Sequence, residues 1–345
     1  MSWYEAISAL DALEDAPLDR ALIARFERAA PLAAARELRF STPTFKAYSS
    51  CELKGCGKNS FPAFSVTAGG CALMCDHCRA KILEPMIPAT SPEMLERKVR
   101  SLIAAQDLQG FLLSGGSTRR NEIRYERYYP VLERLKREHP HLKIAVHSAL
   151  LDEARARSMA AAGVDTVMMD VIGSNDTIRQ VYHLDRPVED FEATLAALCT
   201  TTMEVVPHIV IGLHYGRILG EPAALDIVGR HRVHSLVLVV IMPFYAAPGT
   251  FATPDTSDVG RVFLEARGRI SDRPVLLGCA RPPGMHRRVT DAYAVMAGLD
   301  GIAFPAEGTL AVAHAVGRPV HQEHACCSIK TGRTIKLHPR PAVAV

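Results

Sequence analysis

The stretch Phe61-Pro-Ala-Phe-Ser-Val-Thr67, followed by Cys71-Ala-Leu-Met-Cys75-Asp-His-Cys78, decides the reading of this chain. An apolar run of strand length enters a small-residue turn and then a loop with three cysteines at C-x3-C-x2-C spacing. Three thiolates on one short loop can hold three irons of a [4Fe-4S] cube and leave the fourth iron without a protein ligand. Soft thiolates favour Fe-S clusters or zinc, and a closed structural zinc site needs a fourth local Cys or His. His77 stands inside the loop and could be that ligand, so the spacing alone leaves zinc open.

Working outward, short apolar runs alternate with helix-length amphipathic stretches. The runs are Phe61 to Thr67, Gly110 to Ser114, Lys143 to Ser148, Asp165 to Val171, Glu204 to Gly212, Ser235 to Met242, Arg273 to Cys279 and Gly301 to Pro305. Between them lie segments such as Pro92 to Gln106, Glu126 to Glu138, Asp152 to Ala162 and Val188 to Cys199. This alternation predicts an α/β fold, a parallel (β/α)8 TIM-type barrel over residues 61–310. In such a barrel the functional face lies at the carboxyl ends of the strands. The cysteine loop follows the first strand, Ser114-Gly115-Gly116-Ser117 the second, and His147, Asp170 and Gly212-Leu213-His214 end the third, fourth and fifth. Cys279-Ala-Arg281 and Phe304-Pro-Ala-Glu307 end the seventh and eighth.

The barrel is flanked by two cysteine-bearing segments. Residues 1–60 read as a helical extension of two or three short helices up to about Arg39, with Asp15 expected to cap the second ahead of Pro17 and Asp19. A loop from Phe40 to Asn59 then carries Cys51 and Cys56; residues 311–345 form a tail with Cys326-Cys327-Ser328. Seven of the nine cysteines fall into three tight groups, a distribution that suits ligands better than disulfides. Cys199 ends a helix and reads as core.

Composition narrows the class. The 345 residues carry 40 basic against 37 acidic side chains with no basic block, which argues against nucleic-acid binding as the main activity. The most apolar window, Leu236 to Ala247, is too short to span a bilayer and contains Pro243. The amino terminus is acidic and lacks the basic start and apolar core of a signal peptide. These features lead us to expect a cytoplasmic enzyme with no membrane partner.

The cysteine loop after a first strand, with the strand-end elements, resembles the radical S-adenosylmethionine (SAM) superfamily. That resemblance implies a [4Fe-4S] cluster on Cys71, Cys75 and Cys78 whose open iron chelates SAM, with His77 at a position that is usually aromatic. It also implies SAM contacts from Gly115 and Gly116, where Ser117 replaces the customary Glu. Further contacts are implied from Asp170 to the ribose, from Arg186 to the carboxylate and from Gly212 to adenine, with Pro207 in place of the first glycine of that strand motif. Singly, Asp170 also reads as a helix cap and Arg186 as a member of a surface pair.

The pair Cys51-x4-Cys56, the run through Met86 and the tail Cys326-Cys327-Ser328 resemble, within the biotin-synthase-like branch, the subunits of the two-component lipoyl synthase of archaea and some bacteria. The likeness spans roughly residues 45 to 335. It implies a second, auxiliary [4Fe-4S] cluster on Cys51, Cys56, Cys326 and Cys327, with Ser328 or Cys279 as rival ligands and Arg281 as a cluster-ligating Arg of the biotin-synthase kind. It implies sulfur insertion at C6 or C8 of an octanoyl chain on a lipoyl domain or glycine-cleavage H protein. A companion radical SAM subunit and an electron donor such as ferredoxin or flavodoxin would be partners. Phe244, Tyr245 and Phe304 would line the octanoyl path, or belong to ordinary core; His147, His208 and His214 would tune the site, or satisfy buried hydrogen bonds. Two rival readings stand beside this one: a radical SAM enzyme whose second cluster relays electrons or serves another sulfur insertion, and a non-catalytic Fe-S or zinc scaffold.

Overall fold

The computed structural model of the chain describes residues 1–29, 37–42, 48, 50, 53, 60–105, 108–242, 245–329 and 334–337. Eight strands occupy the eight apolar runs: β2 (Ala63–Ser65), β4 (Gly110–Ser114), β5 (Lys143–His147), β6 (Thr166–Asp170), β7 (Glu204–Ile211), β8 (Leu236–Val240), β9 (Val275–Leu277) and β10 (Gly301–Ala303). They pair in parallel in chain order. The intervening helices are α3 (Pro92–Ala105), α4 (Tyr129–Glu138), α5 (Glu153–Ala161), α6 (Asn175–Val181), α7 (Val188–Cys199), α8 (Glu221–Arg230), α9 (Thr256–Arg269) and α10 (Met285–Met296). Each strand is buried on both faces, one packed by the helices and the other lining the interior, which is why the strands read as continuous apolar runs.

The strands curl as in a barrel, but among the described residues the ring is not closed by hydrogen bonds. A further strand, β1 (Leu38–Ser41), lies within a segment read from sequence partly as helix and partly as loop, and pairs with the free edge of β10. Closure would need β2 at that edge, so β1 displaces the expected ring contact. Beyond β1 the sheet continues into β11 (Val320–Glu323) and an antiparallel β12 (Thr334–Leu337), while β3 (Ile87–Pro88) caps the other edge at β2. Side chains bridge what the ladder leaves open: Phe61 from the β2 side shares one interior apolar cluster with Ala145, Met168, Val206, Phe304, Cys327 and Ile329.

At the amino terminus, α1 (Trp3–Ser8) starts with a reciprocal capping box between Ser2 and Glu5. The cap of α2 (Arg20–Ala29) is Asp19, whose Oδ1 accepts from Leu22 N at 2.9 Å, and not Asp15, which sits at φ 56°. The reason is spacing: only Asp19 directly precedes the first turn. Helix α2 docks on α10 through Phe26 and Tyr293, ring centroids 5.6 Å apart, and Tyr293 Oη accepts from Asp19 N. Among the described residues no helix is long and apolar enough to cross a membrane.

Candidate active site

The cysteine loop is anchored to its neighbours before any ligand is considered. Val66 N donates to Ser114 O at 2.8 Å and Ala72 N to Ser117 O at 2.8 Å, which ties the loop to the turn after β4. Gly116 makes this tie possible. A Cβ there would stand 1.9 Å from Gly70 O and 2.6 Å from Cys71 Cα. Gly115 is likewise pressed against Val66, with Cγ2 2.6 Å from where its Cβ would be. The two glycines therefore have a packing duty that requires them whether or not they also face SAM.

Within the loop, Cys78 N and Arg79 N both donate to Cys75 O, at 3.2 and 2.9 Å, and Met74, Arg79 and Ala80 take left-handed backbone. Cys75 is buried and Cys71 and Cys78 are half-buried against Leu73, Ile172, Ile178, Val181, Tyr182 and Leu213. Burial, reinforced by the neighbouring thiols, pushes the Cys75 thiol well up, and burial pushes Cys78 up to about 11. In such surroundings Cys75 and Cys78 hold their protons unless a metal takes them.

Three thiols on one loop suit a cluster by their chemistry, and they do not stand preformed around one mononuclear ion. Four tetrahedral ligands on zinc, with Zn–S bonds of about 2.3 Å, lie about 3.8 Å from one another. Among the described residues, one group of metal-ligating side chains has its ligand atoms all within 4.8 Å, and it is His147, Asp170 and His208 rather than a set from the cysteine loop. His77 belongs to no such group among the described residues, and its ring packs on Tyr182 with centroids 5.2 Å apart; burial lowers its pKa to about 4.

The loop residue that sequence reading missed is Asp76. Its backbone N donates to Val181 O at 2.9 Å, Oδ1 meets His183 Nε2 at 2.9 Å and Oδ2 accepts from Tyr215 Oη at 3.0 Å. The Tyr215 hydroxyl also lies 3.0 Å from Gln180 O. This clamp joins the loop to the end of α6 and to the loop after β7. Both partners, His183 and Tyr215, have positive φ, 53° and 54°. No local pattern could have revealed them, because they lie 107 and 139 residues away.

The remaining expected SAM contacts divide. Asp170 lies next to the loop: Tyr182 Oη donates to its Oδ2 at 3.4 Å, and the carboxylate acts electrostatically on Cys75, Cys78 and His77. Arg186 instead pairs with Asp190 at 3.2 Å, four residues on, and no hydrogen bond or ion pair joins it to the cysteine loop. Gly212 has φ 79° and packs where a Cβ would lie 2.4 Å from Pro254 Cγ; its N donates to buried Glu221 at 2.6 Å. Turn geometry thus accounts for this glycine. His214 is a satisfied buried histidine, Nδ1 facing Thr177 Oγ1 at 3.2 Å.

A second group of thiols occupies the barrel interior. Cys279, Cys326 and Cys327 all belong to the interior cluster with Phe304, and Cys279 acts electrostatically on Cys327. The hydrogen bond between Cys326 and Cys327 lowers the thiol of the first and raises that of the second. The segment is tied down by Arg39, whose guanidinium donates to Cys327 O and, at 3.1 Å each, to Glu323 and Ile329 O. Ser328 Oγ is 3.9 Å from Cys327 Sγ. Cys51, Cys56 and Phe244 lie outside the described residues; Tyr245 is half-buried. Arg281 is not poised as a cluster ligand: it is fully buried in a two-pronged pair with Asp291, at 2.5 and 2.8 Å.

Fold and site together define an α/β barrel protein with a three-thiolate cluster loop at the carboxyl face of its first barrel strand. Residues 65–217, somewhat less than half of the chain, match the model of the radical SAM superfamily. Comparison with the curated proteins finds no significant match. Among solved structures the fold is similar to methylornithine synthase (PylB), with a TM-score of 0.54, 11% identity, and 88% of this chain and 86% of that chain covered. It is similar also to HydG, a maturase of the [FeFe]-hydrogenase, with a TM-score of 0.57, 11% identity, and 88% and 70% covered. HydG from Carboxydothermus hydrogenoformans gives a TM-score of 0.55, 16% identity, and 88% and 67% covered. At these identities the likeness is one of fold.

Proposed function

We propose that this protein is a radical SAM enzyme that inserts sulfur into a protein-bound octanoyl chain during lipoyl cofactor assembly. The observation that carries the reading is the second thiol group: Cys279, Cys326 and Cys327 lie inside the same barrel whose mouth bears the Cys71, Cys75 and Cys78 loop. Cys326 and Cys327, with Cys51 and Cys56, would hold an auxiliary cluster, and Cys279 and Ser328 are neighbours able to replace one of them. When bound, the loop cluster with SAM supplies a 5′-deoxyadenosyl radical able to take hydrogen from an unactivated carbon, and the auxiliary cluster supplies sulfide.

The chain's own part is placement. Asp76 holds the loop against α6, Gly116 lets the loop lie on the turn after β4, and Asp170 stands beside the loop where SAM is expected. The interior apolar walls exclude water from a reacting carbon. An octanoylated lipoyl domain or H protein, a companion radical SAM subunit and a small electron-transfer protein are the partners this reading requires.

The test is anaerobic reconstitution with iron and sulfide counting, on the wild type and on a Cys71/Cys75/Cys78→Ala variant. Two four-iron clusters predict about eight irons in the first and about four in the second. An octanoylated carrier peptide should then gain sulfur with wild-type protein and none with Cys326/Cys327→Ala. A triple variant that retains no iron would remove the sulfur-donor reading.

A further inference from the structure

We propose that His147, Asp170 and His208 form a mononuclear divalent-metal site in the barrel mouth. Each lies at the carboxyl end of, or high on, adjacent strands β5, β6 and β7. Each is two residues beyond an interior residue of the same strand: Ala145, Met168 and Val206 belong to the interior cluster, and side chains two apart share a face. The three therefore form one polar layer directly above the apolar filling of the barrel.

Their geometry is that of a ligand set. One donor atom from each lies within 4.8 Å of the other two, His147 Nε2 stands 3.8 Å from Asp170 Oδ1, and the imidazole centroids are 5.5 Å apart. Metal–ligand bonds of about 2.1 Å place tetrahedral donors about 3.4 Å apart, so binding needs each of the three side chains to draw inward by about 1 Å or less. An independent observation points the same way: His208 Nε2 is buried and has no hydrogen-bond partner. A buried ring nitrogen without a partner is costly unless something absent from the protein itself completes it. The Tyr182 hydroxyl, 3.4 Å from Asp170 Oδ2, leaves Oδ1 for the ion and orients the carboxylate.

Two imidazoles and a carboxylate suit Fe(II), Mn(II), Co(II) or Zn(II), and three protein donors leave positions for water or a substrate oxygen. This site uses no cysteine ligand, although Asp170 also borders the cysteine loop, and it does not depend on the sulfur-insertion reading. It gives Asp170 a different partner from the SAM ribose, so metal binding is measured without SAM.

The experiment is titration of the reconstituted, oxidised full-length chain with Mn2+, followed by the EPR signal of the free ion. Mn2+ is a hard ion that avoids thiolates, and the clusters already occupy the cysteines. The wild type should retain one Mn2+ per chain. His208→Ala and the isosteric Asp170→Asn, at unchanged iron content, should bind it at least about tenfold more weakly. Failure of the wild type to retain Mn2+, or equal retention by both variants, would overturn the assignment; equal retention would mark the ion as adventitious.

Discussion

Gly116 and Asp76 carry more of the site than their chemistry suggests, because both act on the position of the cysteine loop. At Gly116 a methyl group would occupy the place of Gly70 O, so the loop and the turn after β4 must separate to admit it. Overpacking of this kind typically costs about 1–3 kcal/mol. We predict that Gly116→Ala folds but loses iron from the loop; iron counting against the wild type checks this. The same residues show what sequence could reveal. The Gly-Gly pair was legible as a strand-end turn, yet the packing that requires it, contact with Gly70 and Cys71, was not. Asp76 was passed over altogether, since its partners His183 and Tyr215 meet it only through the fold.

Among the elements, the eight barrel strands were legible because burial on both faces leaves continuous apolar runs, and helices such as α3 and α4 because their amphipathic faces leave a periodic mark. Strands β1, β11 and β12 were not. They are four residues each, of mixed polarity, and take their place from the exposed edge of β10 rather than from a pattern of their own. The end of β9 is secured by a device that the sequence hid. Arg281 reaches Asp291 on α10, Gly278 O and Phe304 O, while Asp291 also accepts from Ala306 N at 2.7 Å. Removing one partner of a fully buried pair strands the other charge, at a cost of about 3–5 kcal/mol. Arg281→Ala should therefore lower the urea midpoint strongly, whereas Arg281→Met with Asp291→Leu should recover part of the loss. A cluster-ligating Arg281 would instead show itself as lost iron at unchanged stability.

For the molecule as a whole, the tail closes what the ladder leaves open. Cys327 and Ile329 fill the interior between Phe61 and Phe304, held by Arg39 from the other end of the chain. The interior also sets the acid response. Burial holds His77 and His208 at about 4, against an ordinary value near 6.5. The unfolded chain takes up protons on both rings as pH falls through about 6.5, and the folded chain resists until about 4. Stability should thus fall as pH drops across that window and be flat above it; His208→Gln should shallow the slope in urea melts between pH 6.5 and 5. A slope unchanged by the substitution would mean that His208 takes up its proton over the same pH range folded and unfolded, and would contradict a ring held neutral by burial.

The central claim is that Cys71, Cys75 and Cys78 hold a cluster that cleaves SAM reductively. The most direct measurement is 5′-deoxyadenosine formed from SAM by the anaerobically reconstituted chain under a strong reductant. The account predicts stoichiometric or greater formation with the wild type and none with Cys71/Cys75/Cys78→Ala. Wild-type protein that carries its iron and yet forms no 5′-deoxyadenosine would contradict it and leave a metal scaffold in its place.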